Sequence, residues 1–137
     1  MSGPVAAEVA GITYRQLDYW ERKGWVSASS VQQGDGGRRV RRYSPDAVVR
    51  LAALRHLAQS GLDVGEYGPQ IGTIEIPVGA VLAVGDTVTV VSSGAIAKTV
   101  SEPGRWTVFD PAPIRHRCVS RAGSSAATTD DQARKLA

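Results

Sequence analysis

Apolar and polar positions follow a helical period through the first half of the chain and a strand-like texture through the second. Residues 4–10, PVAAEVA, predict a short helix, because Pro4 suits a first turn and Val5 and Val9, four apart, share a side. Gly11 ends it. Thr13, with Gln16 three positions on, is a capping-box pattern, so a second helix is predicted from there to about Lys23, where Gly24 can take the left-handed conformation. Leu17 and Trp20 are expected to face inward with Val9 and Ile12, while Arg15, Tyr19 and Arg22 fall on a separate stripe left free for a partner. Two short helices joined by a tight glycine-containing turn make a helix-turn-helix.

The pattern then changes twice. In SASSVQQGDGGRRVRRYS, Gly34, Asp35, Gly36 and Gly37 permit a sharp reversal, and Ser30 to Gln32 can pair with Arg39 to Tyr43 as a hairpin whose returning strand is rich in arginine. Ser44-Pro45-Asp46 starts a third helix with a capping serine, a first-turn proline and an acid facing the helix dipole. Its apolar stripe, Val48, Leu51, Leu54 and Leu57, runs on to Gly61. LDVGEYGPQIG predicts at most a turn or two of helix before Pro69. After Gly72 the chain is rich in Val, Ile and Thr, with Gly and Pro breaks, which predicts four to six short strands closed by Pro111 and Pro113. From Arg121 onward large apolar residues are almost absent, and a mobile tail is predicted.

Composition adds little beyond charge. Of 137 residues 42% are hydrophobic and 21% charged, as in ordinary globular proteins. Net charge is +3, but the segment Arg15 to Arg55 holds nine Lys/Arg against four acids, a local +5 that leaves −2 for the rest. Such a basic region on a near-neutral remainder is the footprint of a nucleic-acid binder or of a solvated face. The segment GITYRQLDYWERKGWV sharpens the choice: its mixture of Tyr14, Arg15, Tyr19, Trp20, Arg22 and Lys23 suits a helix packed on one side and laid on something negatively charged on the other.

The single cysteine, Cys118, excludes an internal disulfide. No signal-peptide pattern opens the sequence, and the apolar run near Val78 to Val84 is too short to span a bilayer. The expectation is a cytoplasmic, nucleoid-associated protein without a membrane partner. No nucleophile stands beside a base and no carboxylate pair has a recognisable frame, so no enzyme is expected. His116 and Cys118 lack a third ligand nearby, and neither metal nor cofactor is called for.

VAAEVAGITYRQLDYWERKGWV, the glycine-rich gap and RRVRRYSPDAVVRLAALRHLAQSGL together resemble the winged helix-turn-helix of MerR-type bacterial regulators over residues 4–68. The order of parts matches as well as the residue types. The resemblance implies a winged helix-turn-helix DNA-binding domain at 1–70; with the strand-rich texture at 71–120, read as a small β-rich unit for assembly or effector binding, and the apolar-poor tail at 121–137, the expected fold is α+β. It implies a sequence-specific double-stranded DNA-binding transcriptional regulator, with the second helix in the major groove and the hairpin on the neighbouring backbone or minor groove.

By position, Thr13, Tyr14, Arg15 and Gln16 lie at the N-terminal end of the recognition helix. Tyr19 matches a phosphate-contacting tyrosine, and Arg22 continues that face. Arg39, Arg41 and Arg42 are the wing candidates, with Arg41 the best match to the family's wing arginine. Gln16 either reads adenine or only caps its own helix. Four arginines in five positions repel one another unless phosphate neutralises them. Trp20 is assigned to the core, and Tyr43 to packing of the wing on the body.

Asp18 departs from the family pattern, in which many members carry a base there, and either repels phosphate or pairs with Arg15 or Arg22. The long dimer-forming helix of many members is not predicted, because Pro69, Gly72 and Pro77 forbid it. Pairing through the β unit, or side by side on direct repeats, then replaces the usual two-fold dimer. An excisionase-like DNA-bending factor is the alternative job for the same module. A protein- or ligand-binding role for the β half is the alternative from another class.

Overall fold

Local capping signals set the first elements where they are expected. In the computed structural model, which describes residues 1–33, 36, 39–100 and 106–121 and the backbone alone at 32, 33 and 39, α1 spans Gly3–Ala10 and closes on Gly11 at φ 77°. The second helix, α2, spans Tyr14–Arg22 behind a complete capping box. The Gln16 N–H donates to Thr13 Oγ1 at 3.1 Å, and the Thr13 N–H donates to Gln16 Oε1 at 3.0 Å. Strands β1 (Ser30–Gln33) and β2 (Arg39–Arg42) form the antiparallel hairpin, with Val31 opposite Arg41 and Gln32 opposite Val40. Gly36, between them, has φ 76°. The rest of the predicted reversal (34, 35 and 37), Arg38, the Arg39 side chain and the predicted tail from 122 onward lie outside what is described. The base of the hairpin is held to the start of the chain: Ser2 pairs with Arg42, and the Tyr43 N–H donates to Met1 O at 2.7 Å.

Helix α3 (Pro45–Gln59) starts as its sequence predicts, with Ala47 N–H donating to Ser44 Oγ at 3.2 Å. It is buried on more than the predicted stripe, since Ala47, Val49, Ala52 and Ala53 are inside along with Val48, Leu51, Leu54 and Leu57. The reason is tertiary. α3 is the hub on which α1, α4 and β5 all pack. Alanines keep α1 close to it, with Ala6, Ala7 and Ala10 on the buried side of α1.

The expectation for α4 needs correcting. This helix spans Val64–Thr73 and carries Pro69 in its interior, where only a turn or two before the proline was expected. An interior proline removes one helix hydrogen bond and costs about 3 kcal/mol or more. Packing offsets that cost. The glycines that read as breakers are the contact surface: a Cβ on Gly68 would fall 2.4 Å from Trp25 Cδ2, and one on Gly72 would fall 3.0 Å from Trp25 O. Two side chains then anchor α4 to the sheet beyond it. The Tyr67 hydroxyl donates to Gly85 O at 2.7 Å, and Gln70 Oε1 accepts from Val88 N–H at 3.0 Å.

Three strands, rather than four to six, stand among the described residues of the second half: β3 (Ala80–Val84), β4 (Val88–Ser92) and β5 (Thr107–Phe109), in the antiparallel order β4-β3-β5. All five residues of β3 are buried, as a continuous apolar run covered on both faces should be. Residues 74–79 hold no strand, and residues 93–95 turn into a short helix, α5 (Ile96–Val100).

The last strand ends at Phe109, ahead of Pro111 and Pro113 as expected, but the prolines then open a further helix, α6, over residues 112–121, with Asp110 Oδ1 accepting from Ala112 N–H at 3.0 Å. Ile114 and Cys118, four apart on α6, join a single buried cluster with Leu54, Leu57, Leu82 and Phe109, so both halves share one core. Arg115 fastens α6 down, donating to Asp46 Oδ1 at 2.9 Å and to the Ile76 carbonyl. Arg121 pairs with Glu8 of α1. No helix of the described residues is long and apolar enough to cross a membrane.

Candidate nucleic-acid interface

Helix α2 turns three different stripes to three different neighbours. Leu17 and Trp20 are buried in the core, at 0% and 5% exposure, and fix the helix on the body. Tyr14, Asp18 and Glu21, at spacings of four and three, form a second stripe. Arg15, Tyr19 and Arg22 are each one residue further on and form the third, which is exposed along its whole length.

The second stripe holds the hairpin. Arg41 Nη1 donates to Glu21 Oε2 at 2.7 Å, and Nη2 donates to Tyr14 Oη at 3.1 Å and to Asp18 Oδ1 at 3.4 Å. One guanidinium therefore spans the first turn, the middle and the last turn of α2. The Tyr43 hydroxyl, on a side chain buried to 2% exposure, donates to the same Glu21 oxygen. The hydrogen bond with Tyr14, reinforced by the Glu21 charge, raises the Arg41 pKa above its ordinary value against the opposing effect of burial. Burial, then the Glu21 carboxylate, pushes the Tyr43 hydroxyl above its ordinary range, so it stays a donor. With Arg41 at 31% and Glu21 at 18% side-chain exposure, this pair is less screened than a surface ion pair.

The third stripe is the one that displays charge. Arg15 is exposed, as is Tyr19 at 48%. Arg22 pairs with Asp18 at 3.0 Å but leaves 71% of its side chain in solvent. Lys23 Nζ lies 5.4 Å from the Tyr19 ring centroid, a cation–π contact that keeps ring and charge on one side. At the helix start Tyr14 is half exposed, and Thr13 and Gln16 satisfy each other, so Gln16 caps its own helix here. Arg42 is exposed and, by strand alternation, faces away from Arg41. Trp20 and Tyr43 pack inside, as assigned.

One of the sequence expectations needs correcting. Repulsion within the arginine run does not apply to Arg41, whose charge is met by Glu21 and Asp18 rather than left for phosphate. Asp18 pairs with Arg22, one of the two options foreseen, and also with Arg41, which was not. Glu21 was missed altogether. Its signal was present in the spacing 14, 18 and 21, which puts two acids and a hydroxyl on one stripe beside an arginine-rich strand. His116 and Cys118 part company on α6, the first exposed and the second buried at 2%. Among the described residues no group of three His, Cys, Asp or Glu could hold a metal ion.

A capped helix pair, a two-stranded hairpin clamped to its second helix and a third helix beneath define a winged helix-turn-helix. Residues 1–66 match the model of MerR HTH family regulatory proteins. Over 62 residues the chain is 39% identical to proteins named as uncharacterized HTH-type transcriptional regulators, one of Mycobacterium bovis and two of Mycobacterium tuberculosis strains. That match covers 45% of this chain and 27% of each relative, so the chain spans only about a quarter of the length of these relatives in the alignment.

Proposed function

We propose that this protein is a sequence-specific double-stranded DNA-binding regulator of transcription that catalyses no reaction. α2 lies in the major groove and the hairpin rests on the adjoining backbone or minor groove. The observation that carries the reading is the division of labour on α2: the 14–18–21 stripe is occupied by the hairpin, and the 15–19–22 stripe is left open and basic. Arg15 and Arg22 meet phosphates or guanine edges, the Tyr19 hydroxyl meets a phosphate, and Thr13, Tyr14 and Gln16 stand at the groove end of the helix. Arg42, with Arg39 three positions earlier in β2, supplies cations from the hairpin. The regulatory role is supported by the names of the relatives.

Selection of bound sequences from random duplexes tests the reading. An enriched motif is expected, and the spacing of its half-sites shows whether two copies meet through the C-terminal sheet or sit side by side on direct repeats. On the selected site, Arg15→Ala should weaken binding and make the log–log salt dependence shallower by about 0.9, one phosphate contact's worth. The reading fails if no sequence is enriched and duplex binding is indistinguishable from that of a protein of equal net charge.

A further inference from the structure

The wing arginine is the feature of this surface whose chemistry least suits the role that its position suggests. A phosphate ligand needs a guanidinium with open donors in a positive field. Arg41 instead has both terminal nitrogens engaged, by Glu21 at 2.7 Å, Tyr14 at 3.1 Å and Asp18 at 3.4 Å. Two carboxylates stand next to it, so a phosphate approaching Arg41 approaches them as well. The three partners lie at the first, middle and last turns of α2, so a single side chain fixes the hairpin along the length of the helix. Glu21 is in turn held by the buried Tyr43 hydroxyl at the hairpin's base.

We propose that Arg41 is a positioning residue and not a DNA ligand. It locks the hairpin to the 14–18–21 stripe of α2 and so sets where the hairpin's other cations meet the duplex relative to the 15–19–22 stripe. Glu21 is its main partner, and Asp18 and Tyr14 fix its orientation. The inference rests on the DNA-binding reading but makes an opposite prediction from a phosphate-contact role. If Arg41 were a ligand, neutralising Glu21 would free it and remove a repulsive charge, and binding would tighten. In a positioning role, neutralising Glu21 loosens the hairpin, and binding weakens.

The experiment is a double-mutant cycle of Glu21→Gln and Arg41→Met in the full chain, measured on the selected duplex across a salt series. Gln can still accept from the Tyr43 hydroxyl, and circular dichroism confirms that each variant is folded. Each single change should weaken specific binding by about tenfold, the scale of losing one charge-assisted hydrogen bond. The double variant, which is charge-balanced, should be no worse than the weaker single one and should keep the wild-type salt slope. Loss should concentrate at base positions flanking the helix contacts, and Arg41→Lys should restore part of it. Tighter binding by Glu21→Gln, or a salt slope shallower by about one in the double variant, overturns the proposal.

If the wild type binds no duplex at all, the DNA reading fails, and the clamp is then judged on amide hydrogen exchange of Val40 and Arg42. Faster exchange in Arg41→Met, with unchanged exchange in α3, supports the clamp. Unchanged exchange in the hairpin overturns it.

Discussion

Adding one methyl group at Gly68 tests whether α4 is built by contact with Trp25. By helix propensity alone Gly68→Ala should stabilise an interior helical position by about 1 kcal/mol. The structure predicts the reverse. The new Cβ would fall 2.4, 2.5 and 2.7 Å from Trp25 Cδ2, Cε2 and Cε3. Carbon atoms rest at about 3.5–4.0 Å, so the indole must retreat by about 1 Å or α4 must lift from it. Overpacking costs about 1–3 kcal/mol, and a clash this deep belongs at the upper end, so after the propensity gain the net loss should be about 1–2 kcal/mol.

The effect should reach α2 as well, because the Trp25 N–H closes that helix by donating to Trp20 O at 3.2 Å. Urea unfolding followed by circular dichroism should show a lower midpoint, by about 1 M for a slope of 1–2 kcal/mol/M, with the slope unchanged. Trp25→Leu should cost stability in the wild type and much less in the Gly68→Ala background, since the two side chains compete for one space. A Gly68→Ala protein as stable as the wild type, or more so, refutes the packing argument.

Two other groups give independent checks. Burial lowers the His56 pKa; its Nε2 has no hydrogen-bond partner among the described residues, and its ring lies 5.5 Å from Phe109. The unfolded chain therefore takes up a proton near the ordinary value of about 6.5 that the folded chain resists, and stability should fall as pH drops through that value, with no such loss above it. His56→Gln should flatten the fall between pH 7 and 5 in urea titrations, and equal slopes in the two proteins would sink the argument. The Cys118 thiol is buried at 2% exposure, and burial raises its pKa, so a disulfide reagent should label it roughly a hundredfold slower in the native state than in urea. Labelling at the unfolded rate would show that α6 is not docked.

The sequence by itself determined what one turn of chain can encode. Thr13 with Gln16, Ser44 with Pro45, and the glycines at 11, 24 and 61 fix three helices and their ends, because capping and left-handed termination act within a few residues. The spacing of Leu17 and Trp20 fixed which way α2 faces, and with it the exposure of Arg15, Tyr19 and Arg22. The same local grammar marks the start of α6 at Asp110-Pro111, but the apolar pair Ile114 and Cys118 is too sparse to declare a helix alone.

Tertiary structure decided the rest, and always through partners distant in the chain. Pro69 sits inside a helix because Gly68 and Gly72 close on Trp25 more than forty positions earlier. α3 is buried on several sides because β5 covers a face that its own periodicity leaves open. Arg41 changes from a free cation to a clamp because the hairpin register brings it over Tyr14, Asp18 and Glu21, 27, 23 and 20 residues away. The charge of a side chain can be read from the sequence, but whether that charge is already neutralised depends on distances that only the folded chain sets.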